Sequence, residues 1–111
     1  MTVRAVRAAF PDVEFGLHLH NTYGMALANV VAGLVDGVVQ FDSALGGIGG
    51  CPFAPGAAGN VGTEDVVFML HAMGVGTGVD LDALAAAAGE LRTALRRPLE
   101  SSVSRALGWI A

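Results

Sequence analysis

Apolar and polar residues alternate strictly between residues 14 and 20. One set of alternate positions holds Phe15, Leu17 and Leu19, and the other holds Gly16, His18 and His20. A period of two is typical of a β-strand with one apolar face. The pattern therefore predicts a strand that carries two histidines on the face opposite its apolar side chains.

A helix and a second strand are predicted next. The segment from Met25 to Asp36 is apolar on nearly all sides and rich in alanine, and Gly37 is a natural residue to end a helix. The segment Val38 to Leu45 begins with β-branched and aromatic residues, which favour a strand. A strand, a helix and a strand joined by short connections form a βαβ unit, so we expect the two strands to be parallel.

The remaining pattern predicts helices. They are Thr2–Ala9, a helix that Thr63 caps and that runs to about Met73, a helix from Leu81 to about Arg96 capped by Asp80, and a short helix that begins at Ser101 or Ser102 and ends at Gly108. Both strands have the sequence character of buried strands, but two parallel strands alone cannot form a sheet with both faces covered. We therefore expect an α/β fold with an incomplete sheet, whose missing strands lie on another chain or in a longer polypeptide.

Composition narrows the class of protein. Hydrophobic residues make up 53% of the 111 residues and mean hydropathy is +0.58, which excludes intrinsic disorder. The formal net charge is −4 and the only basic cluster is Arg92, Arg96 and Arg97, so we expect no nucleic-acid partner. The sequence contains neither a secretory signal pattern nor an apolar stretch of about 20 residues. With the single cysteine, these features predict a cytoplasmic protein without a membrane partner.

A glycine-rich loop follows the second predicted strand. It runs from Gly46 to Gly62 as GGIGGCPFAPGAAGNVG and contains no charged residue. It has neither the lysine of a phosphate-binding Walker loop nor the third glycine of a dinucleotide fingerprint, since Pro52 stands there. Loops in this position carry the active sites of many α/β folds. Its Cys51 could serve as an acid or base, or it could be a buried structural thiol.

Three side chains could bind a cation. His18 and His20 project to the same face about 6.6 Å apart along a strand, so both imidazoles could converge on one ion. They could equally be partly buried histidines that hydrogen-bond to neighbours. The amide oxygen of Asn60 could bind a hard cation or could hydrogen-bond within a turn. Glu64 is first of all an acidic residue in the first turn of a helix.

Together these segments resemble the hydroxymethylglutaryl-CoA lyase family, over residues 15–97. The matching segments are HLHNTYGMALAN from His18, FDS from Phe41, GGIGGCPFA from Gly46 and GAAGNVGTED from Gly56. The loop GGIGGCPFAPGAAGN is specific within a superfamily of metal-dependent lyases and Claisen-type synthases. The related isopropylmalate and homocitrate synthases share the paired histidines and a GIG segment, but as a rule not the GGCP loop.

The resemblance implies a fold and a metal. The fold would be a TIM barrel, of which residues 1–111 would form the C-terminal quarter, with two parallel strands and the terminal helices. The cofactor would be a divalent cation, Mg²⁺ or Mn²⁺, held here by His18, His20 and Asn60. The partner would be a small acyl-CoA substrate.

The resemblance also implies a reaction. 3-Hydroxy-3-methylglutaryl-CoA would be cleaved to acetoacetate and acetyl-CoA. Cys51 would be the catalytic thiol on the loop after the eighth strand, and His18 would lie near the transferred proton. Glu64 matches an acidic residue of the family near the site.

The sequence departs from the family pattern at one point, so more than one function remains possible. The family carries an Arg-Asp pair on its first strand, and no Arg-Asp pair occurs in this sequence. The chain could be part of such an enzyme or of a sister lyase or synthase that acts on another acyl-CoA. It could also be a non-catalytic remnant or association module that forms homo-oligomers through exposed apolar faces. The DNA upstream of Met1 distinguishes these hypotheses, because an in-frame Arg-Asp strand there indicates an enzyme.

Overall fold

The computed structural model describes residues 2–50 and 59–109. Within these residues the helices and strands are α1 (Thr2–Ala9), β1 (Gly16–His18), α2 (Ala26–Val35), β2 (Gln40–Asp42), α3 (Thr63–Ala72), α4 (Leu81–Leu95) and α5 (Ser102–Ala106). A single 3₁₀ turn, Leu45–Gly47, follows β2. The order and type of these elements confirm the pattern-based predictions. Among the described residues, no helix has the length and apolar character needed to cross a membrane.

The two strands are parallel, as the βαβ pattern predicts. Their paired positions are Gly16 with Gln40, Leu17 with Phe41 and His18 with Asp42. Both strands are shorter than predicted, and the chain beyond each of them pairs with a third segment. His20 forms an antiparallel bridge with Asn60, and Ala44 forms a parallel bridge with Gly62. The return segment, residues 59–63, thus pairs with the carboxyl ends of both strands.

Helix α2 covers one face of this sheet. Gly33 is buried there, and a Cβ at this position would lie 2.6 Å from Leu17 Cδ1 and 3.2 Å from the ring of Phe41. The close approach lets α2 pack directly on the apolar side chains of both strands. The core that results is formed by the buried residues Ala26, Val30, Val61, Val66 and Leu70.

The opposite face of the sheet is open within the described residues. It carries the exposed residues Gly16, His18, Gln40 and Asp42. The alternation in the sequence therefore separates a covered apolar face from an uncovered polar one. This confirms an α/β unit with an incomplete, open sheet.

The first turn of α3 contains two buried acidic residues. Glu64 is fully buried, and both of its carboxylate oxygens accept from the Gly46 amide at 2.9 Å. The Ser104 hydroxyl donates to Glu64 Oε1 at 3.1 Å. The predicted capping role of Thr63 is wrong. Gly62 occupies the N-cap position, and the Thr63 hydroxyl lies 2.9 Å from that of Ser43, a partner that only the tertiary fold brings close.

Asp65 holds the C-terminal helix in place. Its carboxylate accepts from the Ser101 hydroxyl at 3.0 Å, from the Ser102 amide at 3.2 Å and from the Val103 amide at 2.8 Å. Ser101 in turn accepts from the Ser104 amide, which confirms Ser101 as the cap of α5. Helix α5 therefore begins on a carboxylate that α3 supplies.

We expect Asp65→Ala to destabilise the 111-residue chain by about 3 kcal/mol. The substitution removes three hydrogen bonds to a carboxylate and leaves the buried Ser101 hydroxyl with one partner fewer. The matched control is Asp80→Ala, which removes the exposed N-cap of α4 and should cost only about 1 kcal/mol. Urea unfolding followed by circular dichroism measures both. Equal losses would show that Asp65 acts only as a local cap.

Candidate functional site

The two histidines lie on the open face of the sheet, as the alternation predicts. Their ring centroids are 5.3 Å apart, with an angle of 55° between the ring planes. Both residues are exposed within the described chain. A pair of imidazoles at this spacing can share one small ligand between them, and the open face leaves room for it.

Asn60 lies beside the histidine pair because it belongs to the return segment. It forms the antiparallel bridge with His20, and two hydrogen bonds flank that bridge, from Asn21 N to Gly59 O at 2.9 Å and from Val61 N to Leu19 O at 3.1 Å. This is the narrow type of antiparallel pair, in which the Cα atoms are about 4.5 Å apart. The structure therefore brings Asn60 beside His20, although 40 positions separate them in the sequence.

The two ends of the Asn60 amide have different environments. Its Nδ2 donates to the carbonyl of Ile48 at 3.1 Å, whereas its Oδ1 is buried and has no hydrogen-bond partner among the described residues. A buried acceptor without a partner costs about 1–3 kcal/mol, so such an atom calls for a ligand. The turn interpretation of Asn60 is confirmed for its nitrogen, which bonds to Ile48, whereas the cation-binding role of its oxygen stays a prediction.

Glycines allow the loop to pack against Asn60. Gly49 has a φ of +106°, and a Cβ there would lie 2.7 Å from Asn60 Nδ2. A Cβ on Gly59 would overlap the carbonyl of Gly49. Any larger residue at these two positions would push the loop away from Asn60, which explains part of the high glycine content of this segment.

Glu64 and Cys51 are the other two predicted site residues. The described contacts of Glu64 are with Gly46 and Ser104, and neither histidine nor Asn60 is among its hydrogen-bond partners. Its catalytic role stays a prediction. Cys51 lies outside the described residues, so its predicted role as the catalytic thiol also stays a prediction.

The residues present fit a divalent cation. Two imidazoles and one amide oxygen suit a hard or borderline ion that completes its coordination with further oxygen ligands. Among residues 2–50 and 59–109 no group of three His, Cys, Asp or Glu side chains forms a complete metal cluster. The three side chains are therefore a candidate for part of a metal site, which further ligands would have to complete.

One polar neighbour of the site was not identified from the sequence. Asp42 Oδ2 lies 3.3 Å from His18 Nδ1. The two residues face each other because they are paired in the β1–β2 ladder. The sequence could have indicated Asp42 through its spacing from Gln40, which places both on one face of the second strand. Only the register of the strands, however, shows that Asp42 faces His18.

Comparison with known proteins gives the family. Residues 1–90 match the model of the family described as HMGL-like. The chain belongs to the HMGL-like family. Membership confirms the resemblance that the paired histidines and the glycine-rich loop indicate.

Individual relatives agree with this assignment. The chain is 50% identical over 103 residues to (R)-citramalyl-CoA lyase of Chloroflexus aurantiacus, which covers 93% of this chain and 32% of that protein. It is 48% identical over 105 residues to the mitochondrial hydroxymethylglutaryl-CoA lyase of Arabidopsis thaliana, which covers 95% of this chain and 22% of that protein. The chain thus spans a third or less of these relatives.

Solved structures share the fold. The HMG-CoA lyase of Bacillus subtilis has a TM-score of 0.90 and 42% identity, over 96% of this chain and 36% of that one. An HMG-CoA lyase of Acinetobacter baumannii, solved with coenzyme A and 3-methylmalate, has a TM-score of 0.84 and 44% identity, over 94% and 34% of the two chains. The chain therefore has the α/β fold of HMG-CoA lyase barrels, of which it forms an open, two-stranded part.

We expect the 111-residue chain to bind Zn²⁺ more tightly than Mn²⁺ and to bind Mn²⁺ weakly. Three neutral donors without a carboxylate favour Zn²⁺ by the usual order of affinities, whereas harder ions favour oxygen ligands. His20→Ala should weaken Zn²⁺ binding roughly tenfold or more, equivalent to about 1.4 kcal/mol. Isothermal titration calorimetry measures both ions.

The matched control is His71→Ala, which removes an exposed histidine that hydrogen-bonds to Thr77 outside the site. Its Zn²⁺ affinity should equal that of the unmodified chain. Tight Mn²⁺ binding by the 111 residues alone would contradict the interpretation of the site as partial.

Proposed function

We propose that this chain is the metal- and thiol-bearing part of an acyl-CoA carbon–carbon lyase of the hydroxymethylglutaryl-CoA lyase type. The observation that carries the proposal is the buried Oδ1 of Asn60, which has no hydrogen-bond partner among residues 2–50 and 59–109 and which the return segment holds beside the paired His18 and His20. In this proposal residues 1–111 form the C-terminal quarter of a TIM barrel. The strands β1 and β2 are then its seventh and eighth strands.

The proposed reaction is the cleavage of 3-hydroxy-3-methylglutaryl-CoA to acetoacetate and acetyl-CoA. The tertiary hydroxyl loses its proton and becomes a ketone as the bond between the hydroxyl-bearing carbon and the carbon next to the thioester breaks. The electron pair of that bond forms the enolate of acetyl-CoA, which takes up a proton on carbon. Catalysis thus needs a base at the hydroxyl, stabilisation of negative oxygens and an acid at the carbon.

The residues of this chain divide these tasks. His18, His20 and Asn60 would hold Mg²⁺ or Mn²⁺, and the two imidazoles lie on the open face, where a substrate can approach. The cation, when bound, would increase the acidity of the substrate hydroxyl and stabilise its oxygens. His18 would lie near the transferred proton, and Cys51 would protonate the carbon.

Glu64 has a supporting task in this proposal. Its carboxylate holds the amide of Gly46, and Gly46 begins the glycine-rich loop that carries Cys51 and packs on Asn60. Its other described partner is the Ser104 hydroxyl, and it is fully buried, so no described contact of Glu64 reaches the open face. We therefore place Glu64 among the residues that shape the site.

The remainder of the barrel would complete the site. The relatives are about three times as long as this chain, and the polar face of the sheet is uncovered within the described residues. Strands from the longer polypeptide or from another chain would supply the missing carboxylate and arginine. Exposed apolar side chains such as Val35 and Val39, at 74% and 82% exposure, fit such an association or a homo-oligomer. A cytoplasmic location is part of the same proposal.

A second substrate is favoured by the identity of 50% to (R)-citramalyl-CoA lyase. Citramalyl-CoA also carries a tertiary hydroxyl beside the bond to be cleaved, and it is one methylene shorter than 3-hydroxy-3-methylglutaryl-CoA. The same chemistry would release pyruvate instead of acetoacetate, together with acetyl-CoA. One methylene in a pocket is worth only about 1–3 kcal/mol of discrimination, so both substrates must be assayed.

The proposal is tested with a chimera. Residues 2–111 replace the matching third of Bacillus subtilis HMG-CoA lyase, which supplies the rest of the barrel. With Mg²⁺, we expect the chimera to release acetoacetate or pyruvate with acetyl-CoA, and the 111-residue chain alone to release none. Cys51→Ala should lower kcat by about 10²–10⁴-fold, the usual contribution of a general acid.

Two controls make this test decisive. The unmodified Bacillus subtilis enzyme, prepared in parallel, shows that the assay works, and the variant His71→Ala should keep full activity because His71 lies outside the site. A folded chimera that cleaves neither substrate, or one whose kcat is unchanged in Cys51→Ala, would contradict the proposed function.

A further inference from the structure

Asp42 stands opposite His18 at the end of the parallel ladder. The two residues are register partners, and both lie on the open polar face of the sheet. The carboxylate oxygen Oδ2 is 3.3 Å from the ring nitrogen Nδ1. The backbone ladder fixes the Cα positions of both residues and so keeps their side chains within reach of each other.

The contact selects one form of the imidazole. A carboxylate can only accept a hydrogen bond, so the nitrogen that faces Asp42 must carry the proton when the ring is neutral. The proton then sits on Nδ1, and the lone pair belongs to Nε2 on the far side of the ring. A histidine that binds a cation needs such a lone pair, and a carboxylate behind the ring fixes which nitrogen carries it.

His20 lacks a comparable partner. Among the described residues its ring accepts or donates no hydrogen bond, and it is located instead by its backbone bridge to Asn60. Of the two histidines, only His18 has its ring orientation set by a side chain. It is also the histidine nearer the proton in the proposed function.

Stability does not account for this pair. The side chains of His18 and Asp42 are 56% and 75% exposed, and ion pairs at such exposed positions contribute little to stability. Replacing Asp42 should therefore leave the free energy of unfolding almost unchanged. An effect on the imidazole or on metal binding would have to come from orientation.

We propose that Asp42 is a positioning residue that holds His18 with its proton on Nδ1 and presents Nε2 to the cation. The inference rests on the proposed function only for the statement that His18 is a metal ligand. The hydrogen bond itself, and the imidazole form that it selects, can be measured without metal or substrate.

The first measurement is ¹⁵N NMR of the metal-free 111-residue chain, labelled at histidine, above about pH 8, where imidazoles are neutral. We expect His18 to carry its proton on Nδ1, and Asp42→Ala to shift the population towards Nε2–H. Asp42→Asn should restore much of the original form, because its amide oxygen can still accept the bond. The matched control is Gln40→Ala, two positions earlier on the same face of β2, which should leave the His18 signals unchanged.

The second measurement is Zn²⁺ titration of the same four proteins. We expect Asp42→Ala to lower the affinity about 10–100-fold and Gln40→Ala to leave it unchanged. Unfolding midpoints of all variants should agree closely. If Asp42→Ala does not fold, the position of the proton on the His18 ring of the unmodified chain decides the test. A His18 ring protonated on Nε2 in the unmodified chain, or an unchanged ring form and affinity in Asp42→Ala, would overturn the inference.

The two readouts separate this inference from the proposed function. If the His18 ring responds to Asp42 as expected while the chain binds no Zn²⁺, the positioning contact is supported and the ligand role in the proposed function is contradicted. If Zn²⁺ binds through His18 and His20 but the ring form is independent of Asp42, the inference fails and the proposed metal site stands.

Discussion

The candidate site depends on the backbone pairing of the return segment, residues 59–63, with the ends of both strands. Val61 N donates to the carbonyl of Leu19, and the carbonyl of Val61 accepts from Ala44 N at 3.0 Å. Thr63 N also donates to Ala44 O at 2.9 Å. The segment is thereby fixed to β1 on one side and to the extension of β2 on the other, and Val61 is buried between them.

Two buried carboxylates keep this segment from separating. Burying a carboxylate is costly unless hydrogen bonds satisfy it, and Glu64 and Asp65 each have several donors. Both also lie at the N-terminus of α3, where the helix dipole favours negative charge. The acids therefore connect the start of the glycine-rich loop, the return segment and α5 into one cooperative unit behind the site.

The polar face of the sheet, by contrast, is exposed. Its histidines and Asp42 are exposed, and its ligand set is incomplete within the described residues. The chain spans 32% and 22% of two curated relatives, and in the proposed function further strands of an HMGL-like barrel would cover the open face. The buried side of the unit is thus held by hydrogen bonds, whereas its polar face is exposed.

The sequence by itself predicted the helices and strands and the residues that could carry chemistry. Alternation at residues 15–20 placed both histidines on one face, and the apolar run before Gly37 predicted the helix between two parallel strands. These features are local, and a period of two or a terminal glycine is visible in any short window. The specific glycine-rich loop and the histidine pair were enough to indicate the HMGL-like family.

Only the tertiary structure decided which distant residues meet. The pairing of Asn60 with His20, of Asp42 with His18 and of Asp65 with α5 depends on register and on contacts 24 to 40 positions apart. Packing also gave the Thr63 hydroxyl a partner in Ser43 in place of its predicted capping role. Hydrogen bonds across such distances leave no periodic signal, because they follow from how the chain packs and not from what stands next to each residue.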